Sequence, residues 1–182
     1  MPMETIVTIE QADSVKTAIM RPVELLSATA GELWLGPMPG RLHPLQDTMT
    51  AFHAKRIDRI VCLTPMAEIA SKSPDYAARL GHGFPHPVTA MPTADFGVPS
   101  DEAAFVRTAR EAARNIGDGQ RIFVHCAAGI GRTGTFSACI LIAMGFDEMT
   151  ALDRIRKAGS GPETDEQAAL VNRFADTVSR KS

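Results

Sequence analysis

Short apolar runs bounded by Gly and Pro alternate along this chain with stretches whose apolar positions recur every three or four residues. Strands followed by helices produce that mixture. Val23 to Leu26 and Glu32 to Leu35 read as two strands joined at Thr29-Ala30-Gly31. Ile57 to Leu63 reads as a buried strand stopped by Thr64-Pro65, Phe84 to Val88 as another, and Arg121 to Val124 as a third buried run. Between them, Leu45, Met49 and Phe52 share one helical face and predict a helix near 44–55, and Met66 to Leu80 holds a short helix or two around Ser73-Pro74. Ser100 reads as the cap of a helix with core face Phe105, Ala109, Ala112 and Ile116, which Gly117-Asp118-Gly119 ends. Thr135 to Met144 is apolar on every side, the mark of a buried helix. Two more helices run through Met149, Leu152 and Ile155 and through Leu170, Val171, Phe174 and Val178. This alternation predicts an α/β fold, a central, mostly parallel twisted sheet with helices on both faces. Residues 1–20 carry less pattern. Ile6-Val7-Thr8-Ile9 has the length of an edge strand, but Ala12 to Met20 has no period. Residues 1–20 are therefore read as an N-terminal arm and 21–182 as a single domain.

The chemistry is concentrated in His125-Cys126-Ala127-Ala128-Gly129-Ile130-Gly131-Arg132-Thr133-Gly134, between the last buried strand and the buried helix. A strand that turns through a glycine-rich loop into a helix aims several backbone N–H groups at one point, backed by the positive end of the helix dipole. That point is an anion site. The five residues from Ala127 to Gly131 suffice to wrap the backbone around a tetrahedral dianion, with the Cys126 sulfur below it. Arg132 adds a planar, two-pronged clamp on two oxygens, which Lys could not copy. The same dipoles and the guanidinium favour the thiolate form of Cys126, and the Thr133 hydroxyl is placed to donate to that sulfur. Hydrolysis of a phosphate ester by a thiolate also needs a proton for the leaving oxygen. Asp95, in the Pro- and Gly-rich loop Met91 to Pro99, is the candidate. Asp101 is accounted for by the helix start that follows it.

His125-Cys126-x-x-Gly129-x-x-Arg132-Thr133 resembles the active-site signature of the cysteine-dependent protein tyrosine phosphatase superfamily. The phrases Leu35-Gly36-Pro37-Met38-Pro39-Gly40, Ala94-Asp95-Phe96-Gly97-Val98-Pro99 and Gly159-Ser160-Gly161, with the strand and turn around Ile60 to Glu68, extend the likeness over roughly residues 32–178. It is closest to the kinase-associated type of dual-specificity phosphatase. The resemblance implies the protein tyrosine phosphatase fold, hydrolysis of phosphotyrosine, phosphoserine or phosphothreonine on a protein through a phosphocysteine intermediate, and no cofactor. It implies Cys126 as nucleophile, Asp95 as acid, and a glutamine-bearing loop that aims water at the phosphocysteine. Gln167 matches that loop's Gln-Thr-x-x-Gln pattern, while Glu163 stands where its first Gln is expected. Near a phosphoryl group a carboxylate there either repels it or acts as a base. His125 supports the loop through hydrogen bonds. The loop interior, Ala127 to Gly131, looks like that of tyrosine-specific members and lacks the lysines of phosphoinositide-directed relatives.

Composition narrows the reading further. Nineteen basic against 21 acidic residues in 182 give no general drive toward nucleic acid or membrane lipid. Three cysteines, Cys62, Cys126 and Cys139, are too few for a disulfide scaffold and suit a reducing compartment. With no basic leader and no apolar run long enough to span a bilayer, a cytoplasmic protein acting on phosphorylated protein is expected. Its oligomeric state is left open. Cys62 reads either as core or as a redox partner of Cys126, and Cys139 as packing. His82 and His86, separated by Gly83-Phe84-Pro85, do not form a metal-ligand cluster. Two alternatives stand beside the phosphoprotein phosphatase: a phosphoinositide or RNA 5′-phosphate phosphatase, and a module that binds phosphoprotein without hydrolysing it.

Overall fold

A computed structural model of the chain describes residues 18–179; the edge strand expected at Ile6 to Ile9 lies outside them. Five strands form one sheet: β1 (Arg21–Pro22), β2 (Glu32–Gly36), β3 (Arg59–Cys62), β4 (Val88–Ala90) and β5 (Arg121–His125). Their order is β1-β2-β5-β3-β4. β1 runs antiparallel to β2, and the remaining pairings are parallel. The last strand in sequence is thus the middle one in space, flanked by β2 (Leu35 opposite Val124) and β3 (Val61 opposite Val124).

The described residues form seven helices: α1 (Leu45–Lys55), α2 (Met66–Lys72), α3 (Pro74–His82), α4 (Glu102–Gly117), α5 (Gly131–Ala143), α6 (Glu148–Lys157) and α7 (Asp165–Ser179). Strand side chains alternate between the two faces, as the pleat requires. Leu33, Leu35, Val61, Ile122 and Val124 pack with residues of α4 to α7. Trp34, Ile60 and Phe123 point the other way and pack with Phe52 of α1, while Cys62 joins Ile69 and Tyr76 of α2 and α3. α5 packs against α4, α6 and α7, and its residues Gly131 to Ile142 are all buried. This explains its lack of any polar face.

The differences from expectation are local. The strand expected over Val23 to Leu26 is confined to Arg21–Pro22. Val23 N still donates to Leu33 O at 2.9 Å, but the chain turns at once, with Thr29 N bonded to Leu26 O. β4 lies at Val88–Ala90 rather than Phe84 to Val88, because Pro85 and Pro87 have no N–H to give a ladder; Pro87 instead accepts from Ile60 N at 2.9 Å. α4 is capped by Asp101, whose side chain accepts from Ala104 N, and not by Ser100. α5 begins at Gly131, a turn earlier than the Thr135 start expected, so Arg132 and Thr133 belong to its first turn. On α6 the buried residues are Ala151 and Ile155, Leu152 packs partly buried against the core, and Met149 is exposed.

Candidate active site

Cys126 directly follows the middle strand, and residues 126–130 carry the chain from β5 to the first turn of α5. This is the carboxyl edge of a parallel sheet, where ligands bind in such folds. The Cys126 sulfur is buried and accepts a hydrogen bond from Gly129 N at 3.2 Å. Gly129 has φ +72°, and a Cβ there would run into the backbone of Gly36 and Pro37. Only glycine permits that turn with β2's end so close. Met38 N, donating to Ala127 O at 3.1 Å, ties the same two segments together. Gly134 is required for a different contact, since a Cβ would meet the backbone of Gly161.

The N-cap of α5 is Ile130, whose side chain caps nothing. The first N–H groups of the helix thus receive no cap bond from the N-cap side chain, the reverse of Asp101 on α4 and Asp147 on α6. Such an end favours an exogenous anion.

Arg132, 4 % exposed, makes four donations. Nη1 reaches Glu68 Oε2 and Thr93 O, both at 2.9 Å. Nη2 reaches Glu68 Oε1 at 3.0 Å and Asp95 Oδ1 at 2.9 Å. Burial opposes the charge, but Glu68, Cys126 and Asp95 outweigh it and hold Arg132 above its ordinary value. Its bond to Glu68, with a further one from Lys72 at 2.7 Å, pushes the Glu68 carboxyl down to about 2 against the opposing effect of burial. Lys72 also lies 3.8 Å from Asp95 Oδ2. Asp95 itself is half-exposed.

His125 is wholly buried. Its Nδ1 lies 3.2 Å from Cys126 O and its Nε2 3.0 Å from the Tyr76 hydroxyl. A carbonyl can only accept, so the ring carries its proton on Nδ1 and accepts from Tyr76 at Nε2. Burial pushes the imidazole down to about 4 and pushes the Tyr76 phenol well up. The ring is a neutral strut under the loop.

Thr133 departs from expectation. Its hydroxyl is buried and makes no hydrogen bond, so the bond to Cys126 is not formed; the Gly129 N–H stands on the sulfur instead. Gln167 is also buried, with both ends of its amide engaged: Oε1 accepts from Glu163 N at 2.8 Å and Nε2 donates to Gly97 O at 3.1 Å. Thr164 Oγ1 donates to Phe96 O at 3.3 Å. The segment 163–167 therefore braces the Asp95 loop. Glu163 is exposed, and its carboxylate leans over Gly131, where any Cβ would strike it.

The sequence-predicted residues Cys126, Arg132 and Asp95 come together with the loop residues Ala127, Ala128, Gly129, Ile130 and Gly131. Sequence reasoning missed Glu68, Lys72 and Tyr76. An acid in the first turn of α2 already satisfies the helix dipole, and so carried no further signal. Cys62 donates to Thr64 O at 3.6 Å, and burial pushes its thiol up to about 11. Cys139 is buried inside α5. Among the described residues no group of three or more His, Cys, Asp or Glu could hold a metal ion, and no helix is long and apolar enough to cross a membrane.

Several solved structures share this architecture. The kinase-associated phosphatase with its catalytic-site cysteine replaced by serine superposes with TM-score 0.74 at 19% identity, covering 88% of this chain and 95% of its own. PTPMT1 in complex with PI(5)P gives 0.66 at 18% identity, covering 87% and 97%. TpbA of P. aeruginosa in complex with phosphotyrosine gives 0.56 at 18%, covering 87% and 96%. At such identities these likenesses establish the fold. No curated protein sequence matches the chain. Residues 36–146 match the family model described as "Polymorphic toxin system, DSP-PTPase phosphatase". That span holds β3, β4 and β5, the Asp95 loop and the 126–132 loop, and with more than half of the chain matched the protein belongs to the dual-specificity branch of the cysteine phosphatases.

Proposed function

We propose that the protein is a phosphoprotein phosphatase with Cys126 as nucleophile, residues 21–182 forming one catalytic domain that works in the cytoplasm. One observation carries the reading. The buried Cys126 sulfur, an uncapped helix end and the linked pair Arg132–Asp95 meet at the carboxyl edge of β5. A phosphate ester entering there takes the loop N–H groups of residues 127–132 as oxygen donors. It also displaces Asp95 from Arg132 Nη2, so one event supplies a clamp and frees the acid.

The sulfur electron pair then forms the S–P bond as the P–O bond to the leaving group breaks, and the Asp95 carboxyl gives its proton to the departing oxygen. In the second half, water attacks phosphorus, its proton passes to the Asp95 carboxylate, and the S–P pair returns to Cys126 as thiolate. Thr133, in the first turn of α5 with a buried, unengaged hydroxyl, is proposed to donate to it as that charge returns. Gln167 holds the acid loop in place, and Glu163 stands at the mouth where water and phosphate enter.

Phosphotyrosine is the favoured substrate. Phe96, next to Asp95, is 59% exposed and held at φ +56°, a costly arrangement for a large side chain. It offers an apolar wall to an aryl group. The loop interior carries no lysine for additional phosphates. Cys126→Ser tests the nucleophile: turnover of p-nitrophenyl phosphate is expected to vanish while vanadate binding survives, and retained turnover would sink the assignment. A panel of phosphotyrosyl, phosphoseryl and phosphothreonyl peptides, PI(5)P and RNA 5′-phosphate ends decides the class. Preference for the lipid or the RNA end would overturn the phosphoprotein reading. Binding without turnover across the panel would make the protein a recognition module.

A further inference from the structure

Arg21, on β1, is 3% exposed, yet every oxygen it meets is uncharged. Nη1 donates to Gly159 O at 2.9 Å, and Nη2 donates to Gly129 O and to Ser160 Oγ at 3.2 Å. Its Nε is buried with no partner. Among the described residues Arg21 forms no ion pair with a carboxylate. Burying a guanidinium without a counter-charge is costly. Burial pulls Arg21 down to about 10, opposed by the neighbouring Cys126, which leaves it a cation at neutral pH.

The oxygen that Arg21 grips belongs to the loop. Ser160 Oγ donates to the same Gly129 carbonyl at 2.7 Å, while the Gly129 N–H faces forward onto the Cys126 sulfur at 3.2 Å. The backbone of Gly36 and Pro37 lies against Gly129 on the side where a Cβ would stand. Gly129 is thus held from its carbonyl by Arg21 and Ser160 while its N–H meets the sulfur, and Arg132 is held separately by Glu68, Thr93 and Asp95.

We infer that Arg21 is a positioning residue and the second cation of the anion site, holding Gly129 so that its N–H faces the sulfur, with its own charge matched, among the described residues, by the anion in the loop. This rests on the proposed reading of residues 126–132 as a phosphoryl site. Arg21 touches no substrate atom and acts through the backbone and its field.

The test compares the unsubstituted protein with Arg21→Met and Arg21→Lys at one fixed pH. The first readout is the rate of Cys126 alkylation by iodoacetate relative to neutral iodoacetamide, mapped by mass spectrometry and normalised to free cysteine. The second is inhibition by orthovanadate, with the urea midpoint as a check of folding. In Arg21→Met the iodoacetate preference is expected to fall about three- to tenfold and vanadate inhibition to weaken about tenfold. Arg21→Lys, which keeps the charge without the fork, is expected to retain the preference while losing several-fold in vanadate inhibition. Arg21→Met that is folded with both readouts within twofold of the unsubstituted protein overturns the inference. If Arg21→Met does not fold, Arg21→Lys decides alone, and unchanged vanadate inhibition overturns it. An unsubstituted protein with neither iodoacetate preference nor vanadate inhibition removes the anion site itself, and Arg21's role with it.

Discussion

Arg132 meets Glu68 with both prongs of its guanidinium, Nη1 at 2.9 Å from Oε2 and Nη2 at 3.0 Å from Oε1. The bond fixes the plane of the cation from α2, an element remote from the loop in sequence. If Arg132 clamps a phosphate as proposed, two effects follow with opposite signs: Glu68 orients Arg132 for that phosphate, and it also competes with it for the charge. Orientation is expected to win, because Nη2 already divides its hydrogens between Glu68 and the displaceable Asp95. Glu68→Gln should therefore lower kcat/KM by about ten- to a hundredfold. A phosphate inhibition constant that tightens in the variant would mean competition dominates.

Asp95 is held to Arg132 on one oxygen and lies near Lys72 on the other. If it delivers a proton to the leaving oxygen, Asp95→Asn should slow alkyl or phenyl phosphate by about 10²–10⁴. Esters whose leaving groups depart unaided should be slowed far less. Equal loss on both kinds of ester would reduce Asp95 to a structural partner of Arg132.

How far these features could be read in advance depends on how local their causes are. The course of the 126–130 loop was legible because His125 to Gly134 contains its own reasons: a strand end, glycines and a helix start, all within one short run. The α4 core face was legible for the same reason, through its period. Glu68 lies 64 residues from Arg132, Tyr76 49 from His125, and Arg21 108 from Gly129. None carries a mark in its own neighbourhood, since an Arg before a Pro in a two-residue strand reads as solvated surface. Boundaries failed where two rules competed: Ser100 and Asp101 both suit a helix cap, and only the position of the Ala104 N–H selects between them.

Glu163 places a carboxylate over Gly131, at the helix end where a phosphate would sit. The negative charge and the substrate dianion compete for the same field. Glu163→Gln should lower the KM for p-nitrophenyl phosphate about three- to tenfold, with the gain shrinking as salt is raised. A rise in KM would instead assign Glu163 an attractive role, as a base or a bond acceptor for water.

His125 links the site to the pH dependence of folding. Its imidazole is pushed down to about 4 in the fold, chiefly by burial, against an ordinary value of about 6.5 in the unfolded chain. Above about 6.5 neither state binds the proton and the full stability is present. As the pH falls from about 6.5 toward 4, the unfolded chain takes up a proton that the folded one refuses, so stability is lost with acidification, by roughly 3 kcal/mol across that window. His86, also lowered by burial, adds to the same window. Glu68, held at about 2, extends the loss below about 4.5. The His125 share can be isolated with His125→Gln, whose amide oxygen can still accept from Tyr76. Urea midpoints measured from pH 8 to 4.5 should fall steeply for the unsubstituted protein and much less for the variant, the two curves converging on the acid side. Parallel curves would show that the imidazole titrates in the fold as it does in the open chain, and that the buried strut beneath Cys126 is reached by solvent.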